Sequence, residues 1–291
     1  MFVLNQERVM NRRTRSRSRT DRRPAILLAW LLIALALAGC ARLAPRTTAL
    51  NTIHQSYRTE FQQFLPLTIP APGKIMSEPI APASDQPAFA QTLREIREYR
   101  LKYGEDSRES AHLKVLEGMI YLQSGQIGMA RLLQDDLQEA GRNLNSGTGA
   151  FTRDQLLAAN FSSLVDGWEQ ILLAVKLDEG FKVEKLEAAA DRIAKALTSL
   201  DASKLAQPDV DEGAIYIATT AAIFYVWVYN SHSSETPDPR AVWFKKGSDL
   251  IGRFLTETEK KIARQADQRT SPGGRLRYLS WYGFLTGTAP N

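Results

Sequence analysis

Sixteen consecutive residues, Ala214 to Tyr229, carry no charge, and only Thr219 and Thr220 among them fall outside the hydrophobic set. On a helical wheel Phe224, Tyr225, Trp227 and Tyr229 spread over more than half the circumference, which leaves no polar face. A helix apolar all round has to be enclosed by protein, ligand or lipid. Sixteen residues fall short of the roughly 20 that cross a bilayer, so the segment is predicted to be the central helix of a larger helical assembly. Further aromatics recur at helical spacing around it: Trp168 with Ile171, Leu172 and Val175; Trp243, Phe244 and Phe254, with Gly247 one turn from Trp243; and Tyr278, Trp281, Tyr282 and Phe284. Two readings of this apolar centre are open. The aromatics form a solid core, or the helices enclose a pocket lined by Trp168, Tyr216, Thr220, Phe224, Trp227, Trp243, Phe254 and Trp281 that takes an apolar or lipid-like small molecule.

The rest of the chain follows the same period. Leu50, Ile53, Tyr57, Phe61 and Phe64 fall at three- and four-residue steps and predict a first helix to Leu65, and periodicity resumes with Phe89, Leu93, Ile96 and Tyr99. Between them lie six of the thirteen prolines, from Pro66 to Pro87, which withhold the backbone donors a helix or central strand needs. This connector is predicted to be extended, either a spacer or a segment draped over another surface. Beyond residue 88 the helical stretches are broken by Gly, Pro, Asn or Ser at 102–106, 145–150, 178–180, 207–211, 231–239 and 271–274. No hairpin of alternating strands occurs. The expected fold is all-α, an antiparallel helical array of eight to nine helices around the central apolar one, with the helical domain at 88–291.

Charge locates the start of the chain rather than a partner. The net charge is +5, but Met1–Pro24 holds eight arginines and two acids, so the remainder carries −1. That removes the charge argument for nucleic acid. A fifteen-residue uncharged run, Ala25 to Gly39, follows and ends at Cys40, the one cysteine; this is the length of a secretory signal core. Leu37-Ala38-Gly39-Cys40 resembles the lipobox of bacterial lipoproteins. The resemblance implies that 1–39 is a signal peptide removed on export, that Cys40 is acylated and holds the protein to a lipid bilayer, and, since Ala41 stands where Asp marks inner-membrane retention, that the anchor is in the outer membrane facing the periplasm. A single-span anchor with a buried cysteine is the alternative, and translation from Met1 or Met10 gives the same mature chain. The lipidated N-terminus and first helix then occupy 40–65 and the connector 66–87.

In the stretch Ala111 to Ala130, Gly118, Tyr121, Gly125 and Ala130 occupy the small, aromatic, turn and small positions of a tetratricopeptide repeat, which this stretch resembles over about 30 residues. Gly118 and Ala130 would let two helices approach closely, Tyr121 would wedge between them, and Gly125 would supply the turn. Lys114, Gln134 and Arg142 depart from the family pattern. The resemblance implies a right-handed stack of helical pairs with further, diverged repeats. In layout the chain is also similar to the T-component lipoproteins of TRAP transporters, which implies a hydrophobic ligand or a soluble periplasmic binding protein as partner.

Catalytic signatures are missing. The three histidines, His54, His112 and His232, are far apart in the sequence, and no His-Glu-x-x-His, Gly-x-Ser-x-Gly or phosphate-binding glycine loop occurs. Acid pairs such as Asp135-Asp136 read as helix-surface charge. No metal and no cofactor are expected. The expectation is a non-enzymatic binding component of an envelope transport system, with a tetratricopeptide-type scaffold for a partner protein or peptide as the alternative and a cell-wall hydrolase as a distant third.

Overall fold

A computed structural model describes residues 45–61, 69–72, 89–105, 107–145, 151–232, 240–265 and 275–287. The predicted signal peptide, the lipobox-like Leu37–Cys40 and most of the proline-rich connector lie outside them. The chain divides into two units: Met1–Ala49, of which only the helical turn 45–49 is described, and Leu50–Asn291. Everything below concerns the second.

The described residues are helical, without strands. They comprise α1 (50–61 within this unit), α2 (Ala90–Tyr103), α3 (Arg108–Gln123), α4 (Ile127–Leu132), α5 (Gln134–Asn145), α6 (Arg153–Val175), α7 (Val183–Ser199), α8 (Ala202–Leu205), α9 (Pro208–His232), α10 (Arg240–Gly252), α11 (Glu257–Gln265) and α12 (Arg275–Thr286). These twelve exceed the eight or nine expected because breaks without Gly or Pro were invisible to the pattern. One is Leu133, which parts α4 from α5; another is Leu200-Asp201, where the Asp201 carboxylate caps the single turn of α8.

The apolar segment is the middle of α9, which runs 25 residues rather than sixteen. Pro208 opens it, where a missing N–H costs nothing, and Asp209 and Asp211 place negative charge in the first turn. At this length α9 could cross a membrane by composition, but 78% of its most apolar window is buried inside the protein. It packs against α6, α7 and α10, and less extensively against α8 and α12. Ala214, Ala218, Ala221 and Ala222 are fully enclosed and keep these neighbours close; a Cβ at Gly247 of α10 would lie 3.0 Å from that of Ala222. The longer helices pack mainly on the next one along the chain, α3 on α5, α5 on α6, α6 on α7, α7 on α9, α9 on α10 and α10 on α12.

The α3–α4 junction uses the positions singled out above. Gly118 brings α3 so near its neighbours that a Cβ there would meet Leu137 at 2.6 Å and Phe161 at 2.9 Å. Gly125 takes φ +71°, and the hydrogen bonds Gly125 N to Leu122 O and Gln126 N to Tyr121 O close the end of α3 as a Schellman motif. Ala130 and Tyr121 are buried.

Helix α2 is capped from outside its own segment. Phe89 precedes it with no side-chain cap, and the Glu60 carboxylate of α1 accepts from Gln91 N at 3.1 Å, Thr92 N at 3.0 Å and Thr92 Oγ1 at 2.5 Å. An acceptor at the first amides of a helix is worth about 0.5–2 kcal/mol. Glu60→Ala is expected to destabilise the protein by about 1 kcal/mol, read as a lower urea midpoint, and an unchanged midpoint would refute this role. The four described residues of the connector, 69–72, lie against α12: Arg277 Nη1 donates to Ile69 O at 2.9 Å and Trp281 Nε1 to Pro70 O at 2.8 Å, and Ile69 and Ala71 are buried. The described part of the connector is therefore draped over the helical body.

Candidate functional site

A cavity of about 270 Å³ opens among α1, α3, α6, α9, α12 and Ile69. Helix α3 supplies one wall because His112, Val115, Leu116, Met119 and Gln123 recur at three- and four-residue steps and so share a face. Tyr57 and Phe61, one turn apart on α1, form the facing wall, with their rings 5.6 Å apart. Arg153, Asp154 and Leu157 come from the first turns of α6, and Glu212, Gly213 and Tyr216 from those of α9. Arg275, Arg277 and Tyr278 reach in from α12. The backbone of α9 approaches closely here: a Cβ at Gly213 would lie 2.6 Å from the Arg153 side chain.

The phenols are uncharged at neutral pH. Burial raises Tyr57, Tyr216 and Tyr278 above the ordinary tyrosine value, Tyr278 to about 12 with Glu212 adding to the effect. Tyr57 Oη donates to Gln123 Oε1 at 3.0 Å. Arg275 is held by Asp211 at 2.9 Å, Glu259 at 3.0 Å and the Phe254 carbonyl at 2.7 Å. Burial lowers the Arg277 guanidinium from its usual value. The Nε of Arg153 is enclosed without a hydrogen bond among the described residues, 3.8 Å from Asp154 and 3.9 Å from Asp209.

At one edge of the cavity the structure assembles a chain of three titratable groups. His112 Nδ1 contacts Asp154 Oδ2 at very short range, and His112 Nε2 lies 3.2 Å from His54 Nε2. Burial opposes the Asp154 charge, but the His112 contact and the charges of His112, Arg153 and His54 hold it below the usual carboxylate range. His54 is held below the usual imidazole value by burial and then by His112, Arg58 and Arg153. Sequence reasoning set these histidines apart because 58 residues separate them. The signal available was positional: His54 sits between Ile53 and Tyr57 on the apolar stripe of α1, and His112 shares the face of α3 that carries Val115 and Met119.

Of the eight aromatic and hydroxyl candidates, only Tyr216 lines this cavity. Thr220 is buried and donates to Tyr216 O at 3.0 Å. Phe224 is fully buried, with Trp168 edge-on at 5.5 Å. Trp227 is half-buried, and its enclosed Nε1 has no hydrogen-bond partner among the described residues. Trp243 stacks on Tyr225 at 5.7 Å beneath Lys246. Phe254 is buried next to Leu255, and Trp281 is fully buried as the anchor for Pro70. The cavity thus lies at the N-terminal end of α9, whereas Ile217 to Val226 is buried away from it. Among the described residues no group of three metal-ligating side chains converges. A second depression, over α4, α6 and α7, is a balanced ion-pair network in which Arg131 and Arg192 share Asp166, each at 2.7 Å. No protein-family model, curated protein or solved structure matches the chain, so its function has to be read from the cavity and its surroundings.

Proposed function

We propose that this is a periplasm-facing lipoprotein, held at the outer membrane by acylated Cys40, that works as a non-enzymatic binding component of an envelope transport system and takes an amphipathic small molecule in the cavity beside α9. The observation that carries the reading is the cavity itself, with apolar and phenolic walls interspersed with polar and charged side chains from α3, α6, α9 and α12, near the lower end of the roughly 300–1,000 Å³ typical of ligand pockets. Binding is favoured over catalysis because both ring nitrogens of His112 are engaged, by Asp154 and by His54, and among the described residues no serine, threonine or cysteine lines the cavity. The full-length protein, extracted in mild detergent, is expected to release a bound small amphiphile to mass spectrometry or to bind a fatty acid, sterol or lysophospholipid by calorimetry. Met119→Trp, which fills the cavity, is expected to weaken that binding at least about tenfold, equivalent to ~1.4 kcal/mol. A protein that carries nothing and binds none of these would overturn the reading. The helix-to-next-helix packing order supports the alternative, a tetratricopeptide-type scaffold; in-cell cross-linking that captures one partner protein through this domain, with no ligand bound, would favour it.

A further inference from the structure

Helix α1 forms the cavity wall that carries Tyr57 and Phe61, and a pair of imidazoles is among its contacts with α3. Side-chain hydrogen bonds between the helices include Tyr57 Oη to Gln123 at 3.0 Å and His54 Nε2 to His112 Nε2 at 3.2 Å. Toward α2 the fastening is different: Glu60 caps that helix, and Ser56 donates to Glu95 at 3.1 Å.

A hydrogen bond between two imidazole nitrogens needs one proton and one lone pair. Asp154 accepts from His112 Nδ1, so that nitrogen carries its hydrogen and the His112 tautomer is fixed. The two Nε2 atoms then share one proton. With both rings neutral, His54 donates to His112; with one excess proton on the pair, the bond survives with the charge on either ring. A second excess proton places N–H against N–H and positive charge against positive charge. The hydrogen bond is lost and the rings, with centroids 5.1 Å apart, repel.

We propose that His54 and His112 are a proton-sensitive latch that holds α1 against the cavity while at most one of them is protonated and releases it when both are. The groups facing His54 set how hard the second proton is to add. Burial opposes it most, followed by His112 on α3, Arg58 on α1 and Arg153 on α6; Asp154 on α6 favours it. The sign follows from the lowered value of His54. The unfolded chain takes up the proton first, so the stabilising contribution of the contact is complete above the ordinary imidazole value and is lost as pH falls through the lower folded value. Release is expected on the α1–α3 side, because the bond that is lost joins those two helices, and α9 reaches the chain of three groups only through the contact of Asp209 with Arg153. The cavity then opens along Tyr57 and Phe61. This holds whatever molecule the cavity takes.

Hydrogen exchange of the full-length protein in detergent, corrected for the intrinsic pH dependence of exchange, tests the latch. Between about pH 7.5 and about pH 5, peptides covering 50–61 are expected to lose protection at least about tenfold while those of α9 keep theirs. His54→Gln supplies an amide that donates or accepts toward His112 but never gains charge, and it is expected to reduce the response to under about twofold. Equal protection of α1 at both pH values in the native sequence, or an undiminished response in His54→Gln, overturns the proposal. If that variant does not fold, ring ¹⁵N spectra of the native protein decide: uptake of the second proton by the histidine pair has to share its midpoint with the exposure of α1, and midpoints more than about one pH unit apart refute the latch.

Discussion

Phe224→Ala is expected to cost about 3–5 kcal/mol of folding stability, the range for deleting a buried aromatic whose surroundings cannot collapse. Phe224 is fully buried on α9. Its ring fills the space above the bare Cα of Gly167 on α6 and meets the Trp168 edge at 5.5 Å. Neither neighbour can move in to close the void, because Gly167 has no side chain and Trp168 is fixed by its own packing against the core. Equilibrium urea unfolding measures the loss, and a change below about 1 kcal/mol would show that the α6–α9 contact is far softer than described.

Gly167→Ala is expected to fail in the opposite way. A Cβ at this position would stand 2.1 to 2.6 Å from three Phe224 ring carbons, so the ring has to leave its rotamer or the helices have to part. Overpacking of this kind costs about 1–3 kcal/mol and occasionally more; with an aromatic ring as the obstacle, the upper end is expected. Since both substitutions act on one contact, they should not add. In the Phe224→Ala background the added methyl enters vacated space, and Gly167→Ala should be nearly neutral there, a coupling of about 2–3 kcal/mol. Simple additivity would refute the account of this contact.

The central helix was legible because its signal is local: a run of uncharged residues long enough to leave no polar face announces enclosure wherever the rest of the chain goes. The turn at Gly125 was legible for the same reason, since left-handed backbone favours glycine. Helix boundaries such as Leu133 and Leu200-Asp201 were not, because they are set by carboxylate caps and tertiary packing rather than by breaker residues. The candidate site was the least legible part. Tyr216 alone carried over, since aromatic content marks enclosed surface without separating a solid core from the rim of a cavity. The chain Asp154–His112–His54 joins α6, α3 and α1 across 42 and 58 residues, and nothing in the local sequence of any one of them points to the other two.

The short stretch at Ile69 and Pro70 also has a temporal meaning. Its two anchors, Arg277 and Trp281, lie 208 and 211 residues further along the chain, so a piece that emerges early finds its seat only once α12 exists. Contacts of such separation form late, after local helix pairs have already assembled. For a chain made N-terminus first, docking of this stretch therefore reports that α12 has arrived. A product truncated before α12 would keep most of its helices and still lack the surface on which its own beginning closes.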